Sequence, residues 1–355
     1  MNIAILVNTP AQLHFYKNIY YQLVERGHRV FLMVRYYGET KKLLNKLKIS
    51  SYLYSLRSTS KINKILYSVN DILKLVTFLN NKNIDVVTGF GIYDPILAKM
   101  INAKGITFLD SETSINITNY ITQRLTLNMS DIIITPDSFR EELGNKQIKV
   151  NSYKELAYLH PNYYKPNDHV YDILNLDKNE KYILFRYNIL DALHDISVKG
   201  FNMTEKIKLI KELEEYGKIF ISFEGQIPKK LIQYSLRIPQ KYIHDVINYA
   251  SLLITDTQTM ATEAAILGTP VIRCNSFVGK NDMGVFIELE NRYHLLYNFK
   301  KFDNVLLKSH ELLNDKNIEK MHKDRRNIML QDKVDMTKFM VNLLINNSNN
   351  SVRYS

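Results

Sequence analysis

Ile3-Ala4-Ile5-Leu6-Val7 is a continuous apolar run of strand length, followed at once by Asn8-Thr9-Pro10-Ala11-Gln12. Such a run reads as a strand covered on both faces, the pattern of a parallel sheet. Thr9 then reads as a helix cap, Pro10 as the first helical residue, and Gln12 stands at capping-box spacing. The helix carries Phe15, Ile19 and Leu23 to Gly27, where left-handed backbone can end it. Arg29 to Val34 is the next apolar strand. Strand, helix and strand with short joints make a βαβ unit, and hence a parallel sheet.

The same grammar recurs outward from this unit. Ile84 to Thr88 reads as a strand, and Asp94-Pro95 opens a helix that ends before Gly105. Ile106 to Leu109 and Asp131 to Thr135 are further strands, the second followed by Pro136-Asp137 capping a short helix that closes at Gly144. From Pro161 to Asp168 the pattern breaks into a stretch rich in Pro, Asn and Tyr, which reads as a linker. Beyond it the alternation restarts with strands at Tyr182–Phe185, Lys218–Ser222, Ser251–Thr255 and Val271–Cys274. The expected organisation is a first parallel-sheet domain over 1–165 and a second over 166–330. A C-terminal helix over 331–347 is expected to pack back across the junction, leaving a tail at 348–355.

Composition agrees with two globular cores. The chain has 355 residues, 45% hydrophobic and 23% charged, and domains run to about 150 residues. The single cysteine, Cys274, forbids an internal disulfide and fits a reducing compartment. The N-terminus lacks the charged region of a signal peptide, and no apolar stretch reaches the roughly 20 residues a membrane span needs. A cytoplasmic protein is expected, with the inner membrane face as an alternative site. The net charge of +11 could draw phosphates or an anionic membrane. It comes from dispersed lysines, with no run of five basic residues and no aromatic–basic repeat, so no nucleic-acid partner is expected.

Ligands of open parallel sheets sit beyond the carboxyl ends of the strands, and the polar clusters fall there. Asp256-Thr257-Gln258-Thr259 leads a buried strand into a helix stopped by Gly268. A helix start suits a diphosphate, with Thr257 and Thr259 as hydroxyl donors and Glu263, one turn in, as an acceptor for ribose hydroxyls. A capped helix whose early acid complements the dipole accounts for the same residues. Arg186 to Asp195 packs an Arg, His194 and two acids into one expected loop. Asp195 as a helix cap beside an exposed His194 is the simpler alternative. Ser222, Glu224 and His244 are expected nearby. In the first domain, His14 lies one turn into the first helix, where an imidazole suits a general base. Packing against Phe15 would also explain it. Asp110 and Glu112 are alternatives for base or acceptor binding, and their spacing only faintly suggests a metal pair. No metal site is expected. The first βα turn has no G-x-G-x-x-G, and the chain has no P-loop, C-x-x-C, H-E-x-x-H or G-x-S-x-G.

Several stretches resemble the prokaryotic family catalogued as domain of unknown function 354, grouped with the GT-B glycosyltransferases and sugar epimerases. They are Asn8 to Phe15, Gly27-His28, Lys154-Glu155-Leu156-Ala157-Tyr158-Leu159-His160-Pro161, Ala192 to Asp195, Asp256 to Pro270 and Arg273 to Lys280. The resemblance implies an α/β GT-B architecture, two Rossmann-like domains facing a central cleft. It implies a metal-independent transfer of sugar from a nucleotide-diphosphate sugar, without a further cofactor, to a glycan or lipid-linked acceptor in surface polysaccharide or glycolipid assembly. An epimerase of the same fold, or a non-catalytic sugar-nucleotide binder, is the alternative. Carried onto this chain, it implies donor contacts from Arg186, Asp195, Ser222, Glu224, His244, Thr257, Gln258, Thr259 and Glu263. His14, Asp110 and His194 take the catalytic roles, and Thr9, Gln12, Glu112, Asn275 and Lys280 the acceptor or sugar side. Gln258 departs from the glycine common in the superfamily, and Asn188-Ile189-Leu190 from an expected aromatic residue.

Overall fold

The computed structural model describes the chain except residues 36–39, 48, 55–60, 113–119, 121–123, 125, 188–199, 224, 226 and 348–355, and the side chains of 41, 42, 45, 46 and 61–69. The chain divides into two compact units, Met1–Tyr163 with the segment from Lys333 onward, and Tyr164–Asp332.

Among the described residues the first unit has seven strands: β1 (Asn2–Val7), β2 (Arg29–Val34), β3 (Ser51–Leu53), β4 (Val86–Gly89), β5 (Lys104–Phe108), β6 (Ile132–Pro136) and β7 (Gln147–Val150). They pair in parallel in the order β3-β2-β1-β4-β5-β6-β7. The second unit has five: β8 (Tyr182–Tyr187), β9 (Lys218–Phe223), β10 (Leu252–Thr255), β11 (Val271–Cys274) and β12 (Tyr297–Phe299), again all parallel, in the order β12-β11-β10-β8-β9. In each sheet the winding direction reverses once, between β1 and β4 and between β8 and β10. Crevices at such reversals are where open α/β sheets hold ligands.

The opening motif folds as its residues dictate. Helix Pro10–Glu25 starts with Thr9 Oγ1 accepting from the Gln12 amide at 3.3 Å and buries Leu13, Phe15, Tyr16, Ile19 and Leu23. Full burial of an aliphatic or aromatic side chain contributes about 1.5–3 kcal/mol, so this face anchors the helix to the sheet. Gln12 does not close the expected capping box. Its Oε1 instead accepts from the Asn8 amide at 2.7 Å, bracing the turn one residue earlier.

Two expectations are corrected. The segment after β6 is not a helix, because Gln147 takes over its backbone groups. Gln147 Oε1 accepts from the Leu143 amide at 2.8 Å and its Nε2 donates to the Glu141 carbonyl at 3.1 Å. Gly105 lies inside β5, where its amide donates to Asp131 Oδ2 at 2.7 Å. The chain after Lys333 belongs to the first unit, with helix Met336–Asn346 packed on helices Pro10–Glu25 and Leu156–Leu159. Thr337 Oγ1 and Asn18 Nδ2 both donate to the Ala157 carbonyl, at 2.7 and 2.8 Å, and Asp335 caps the helix.

Candidate functional site

In the second unit the strand register places Ser222, Arg186, Thr255, Arg273 and Asn298 level with one another across five strands. Residues level on parallel strands share a face, so this is one polar row near the carboxyl ends. Phe185, Ile254 and Ile272 turn the other way into an apolar cluster. Arg186 is therefore a strand residue rather than part of the loop the sequence suggested, since β8 runs one residue past it. Its Nη1 donates to Ser222 Oγ at 2.9 Å, and Ser222 likewise lies inside β9.

The hydroxyl turn leaves β10 at Thr255, the residue paired with Arg186. Thr255 Oγ1 meets Thr257 Oγ1 at 2.8 Å and accepts from the Thr257 amide at 2.9 Å. Helix Thr259–Leu267 follows and ends on Gly268 at φ 78°. Gln258 and Thr259 are half-buried at its start. Gln258 makes no capping bond, so the helix start is not closed by that side chain. One turn in, Glu263 Oε1 lies 3.2 Å from His244 Nε2, both residues buried. This joins two residues that the sequence had placed only in the same neighbourhood.

Two residues expected on the acceptor or sugar side, Asn275 and Lys280, also lie in this unit. Asn275 is buried and ties two strand-end turns, donating to the Asp256 carbonyl at 3.3 Å and accepting from the Phe277 amide at 3.1 Å. Lys280 is exposed. Cys274 is an inert thiol, since burial pushes it up to about 12. His194, Asp195 and Glu224 lie outside the described residues.

Arg273 was given no role from the sequence. It is fully buried, stacks at 3.5 Å on the Phe286 ring, pairs with Asp282 and donates Nε to Asn298 Oδ1 at 2.8 Å. A charge inside the apolar strand Val271–Cys274 was the available signal. A groove of about 780 Å³ lined by Glu180, Lys181, Glu214 and Lys218 lies at the amino ends of β8 and β9, the end that parallel sheets do not use for ligands.

The first unit arranges its candidates differently. His14 is half-buried, its ring 5.4 Å from that of Tyr158 at a tilt of 35°. Asp110 pairs with Lys154, whose ammonium also lies 3.6 Å from Glu155 Oε1. Glu155 is 2% exposed, and a carboxylate so buried needs a charged neighbour. Glu112 is buried and accepts from the Arg140 amide at 3.2 Å, so Asp110 and Glu112 serve different partners. Thr9 and Gln12 are occupied in the turn after β1, and Asn8 accepts there from the Tyr54 hydroxyl. Among the described residues no three His, Cys, Asp or Glu side chains gather to hold a metal.

Across the reversal from that turn, Gly89-Phe90-Gly91-Ile92 leaves β4. Ile92 has φ 66° and ψ −65°, and the Tyr93 amide donates to the Gly91 carbonyl at 3.0 Å. This is the strained γ-turn of positive φ. A β-branched residue there costs of order 1–3 kcal/mol, and Ile92 is 43% exposed besides. Beneath the turn, Asp94 is buried and accepts from Thr107 Oγ1 at 2.7 Å. Burial pushes its carboxyl up to about 6. The Asp-Pro pair read as a plain helix start and hid this role.

The comparisons bear on this arrangement. The family described as "Protein of unknown function (DUF354)" matches residues 1–347, and the chain belongs to it. No curated protein matches. Among solved structures, the chain is similar to the UDP-GlcNAc 2-epimerase of Neisseria meningitidis bound to UDP-GlcNAc, at 11% identity and TM-score 0.69, over 98% of this chain and 100% of that one. The Methanocaldococcus jannaschii UDP-GlcNAc 2-epimerase in complex with UDP-GlcNAc and UDP gives 15% identity and TM-score 0.68, with the same coverage. A glycosyltransferase from Rickettsia africae gives 13% and 0.63, over 99% of both chains. The fold is GT-B. No helix among the described residues is long and apolar enough to cross a membrane.

Proposed function

We propose that this member of the DUF354 family is a glycosyltransferase, moving a sugar from a nucleotide-diphosphate sugar to an acceptor hydroxyl. The observation that carries the reading is the reversal between β8 and β10. It brings Arg186, the hydroxyl turn Thr255–Thr259, a helix start without a side-chain cap and the His244–Glu263 pair to one sheet edge. An anion meets amides and a helix dipole there, a guanidinium to neutralise it, and an acid one turn on for sugar hydroxyls.

In the reaction, the acceptor oxygen attacks the anomeric carbon as that carbon's bond to the diphosphate oxygen breaks. The nucleoside diphosphate leaves as an anion, and Arg186 with the helix start stabilises the charge that grows on it. The acceptor's proton goes to His14. We assign the base to His14 rather than Asp110 because Lys154 pairs with Asp110 and occupies one of its carboxylate oxygens. The net positive charge would favour a phosphorylated or membrane-displayed acceptor in surface polysaccharide or glycolipid assembly.

A second reading has one observation in its favour. The two epimerases overlay at TM-scores of 0.68–0.69, against 0.63 for the Rickettsia transferase. Incubation with UDP-GlcNAc and other nucleotide sugars decides between them. A transferase leaves the donor sugar's configuration intact without an acceptor and releases nucleoside diphosphate with one. Conversion of the donor to its 2-epimer with no acceptor present would replace transfer by epimerisation.

A further inference from the structure

We propose that Tyr158 is a positioning residue for His14, and that the buried segment 154–159 aims that imidazole at the acceptor hydroxyl. This rests on the transferase reading above, in which His14 takes the acceptor's proton.

Leu156, Ala157, Tyr158 and Leu159 are each at most 1% exposed, whereas connecting segments ordinarily run over the surface. A single helical turn also leaves most of its carbonyls without internal partners. Here the flanking helices serve the Ala157 carbonyl, which accepts from Asn18 Nδ2 at 2.8 Å and from Thr337 Oγ1 at 2.7 Å. At the start of the segment, Lys154 pairs with Asp110, which follows β5. The segment is thus pinned by helix Pro10–Glu25, by helix Met336–Asn346 and by Asp110, all within the first unit.

Helix Pro10–Glu25 meets its surroundings with two faces. The rings of Phe15 and Tyr16 pack on Phe90 at 5.0 and 5.9 Å, which fixes the helix against the sheet. His14 and Lys17, three residues apart, share another face. Both meet Tyr158, whose ring centre lies 5.4 Å from that of the imidazole and 6.0 Å from the Lys17 ammonium. Burial locks the Tyr158 ring, and a locked ring in contact with His14 narrows the orientations its half-buried imidazole can take.

Orientation matters because a general base works only within hydrogen-bond reach of the proton it takes. A misplacement of about 1 Å can cost about 100-fold in rate. Tyr158 makes no bond to substrate in this scheme and acts through the His14 ring. Loss of the tyrosine ring therefore slows the step in which the proton moves, and it leaves nucleotide binding by the second unit as it was. The stretch 154–161, one of those that carry the family resemblance, thereby gains a part in the reaction.

The test is a double-substitution cycle on the full chain. Turnover is read as release of nucleoside diphosphate from UDP-GlcNAc, UDP-glucose, UDP-galactose or GDP-mannose, with methyl and octyl glycosides as acceptors. Tyr158→Leu should lower kcat by ~10- to 100-fold. Its affinity for UDP or GDP, titrated by calorimetry, should stay within about twofold of the native value. Tyr158→Phe, which keeps the ring, should recover most of the rate. His14→Gln should lose about 100-fold or more. Adding Tyr158→Leu to His14→Gln should change kcat by less than about twofold, because the ring then has nothing to aim. Should Tyr158→Leu fail to fold, Asn18→Ala carries the test. It loosens the segment at Ala157, and it should lower kcat in the presence of His14 but not in His14→Gln. Losses that simply add in the double variants, or an unchanged kcat in the single ones, overturn the proposal and leave the transferase reading standing. A native protein that releases no nucleoside diphosphate with any of these pairs overturns both.

Discussion

The two units solve one architectural problem with opposite chemistry. Each is a parallel sheet that reverses its winding once, the topology at which open α/β sheets hold ligands beyond the carboxyl ends of the strands. At the first reversal, hydrogen bonds and ion pairs are spent internally. Gln12 and Tyr54 brace Asn8, Lys154 pairs with Asp110, and Asp94 sits buried under a turn that presents the exposed side chain of Ile92. At the second, an arginine lies level with hydroxyls, and an acid is held by a histidine beside a helix start. The second edge suits an anion carrying a polyol. The first presents Ile92 to solvent and the His14 ring beside Tyr158.

That contrast can be broken at several points. The largest effect should come from Arg186→Ala, which removes a charged donor and should weaken nucleoside diphosphate binding by ~10- to 100-fold in a titration. Asp110→Asn, in the other unit, should leave the same affinity within about twofold. Equal losses in both variants would end the division of labour.

Next in size is the buried acid of the first unit. Below about pH 4 the Asp94 carboxyl is protonated in both the folded and the unfolded chain. As pH rises from there the unfolded chain loses its proton first, because burial holds the folded group up to about 6. Stability contributed by the neutral acid is thus lost between about pH 4 and 6, by roughly 2–3 kcal/mol in all. Asp94→Asn should remove that slope and raise the urea midpoint at pH 7.5 relative to the native protein. An unchanged slope would show that Asp94 titrates normally.

Two backbone substitutions sharpen the picture on a smaller scale. A Cβ on Gly89 would lie 2.8 Å from Asp94 Cγ, so Gly89→Ala should cost about 1–3 kcal/mol by overpacking, read as a lower melting temperature. Ile92→Gly releases the γ-turn strain but adds unfolded-state entropy, and these partly cancel. A stability gain of at most about 1 kcal/mol, together with slower turnover, would mark the strain as functional. A loss of stability would show that the turn is not strained.

What the sequence revealed follows from how each feature is encoded. Central strands such as Ile3–Val7 and Val271–Cys274 are buried on both faces, and their apolar runs announced them. The strands β3, β7 and β12 are three or four residues long and stand at sheet edges, half in water, so no such run marks them. The cap at Thr9 and the stop at Gly268 are local and were readable. The partner of Asp110 is 44 residues away, and that of Glu263 is 19 residues away across a strand. Linear spacing carries no record of such contacts. Arg186 was taken for a loop residue because its polarity hid the last turn of a strand. The absent helix after β6 was lost to the side chain of Gln147, which competes with helical bonding in a way no periodicity foretells.

The most direct test of the account is a thermal-shift screen of the native protein and of Glu263→Ala against UDP-, GDP- and dTDP-linked sugars. A ligand that binds only the folded state stabilises it by RT ln(1 + [L]/Kd), about 2.7 kcal/mol at a hundredfold excess over Kd. The account predicts stabilisation of the native protein by one nucleotide class and its loss in Glu263→Ala. A well-folded native protein that answers to none of them, or a Glu263→Ala variant that answers equally well, would contradict the placement of a donor site in the second unit.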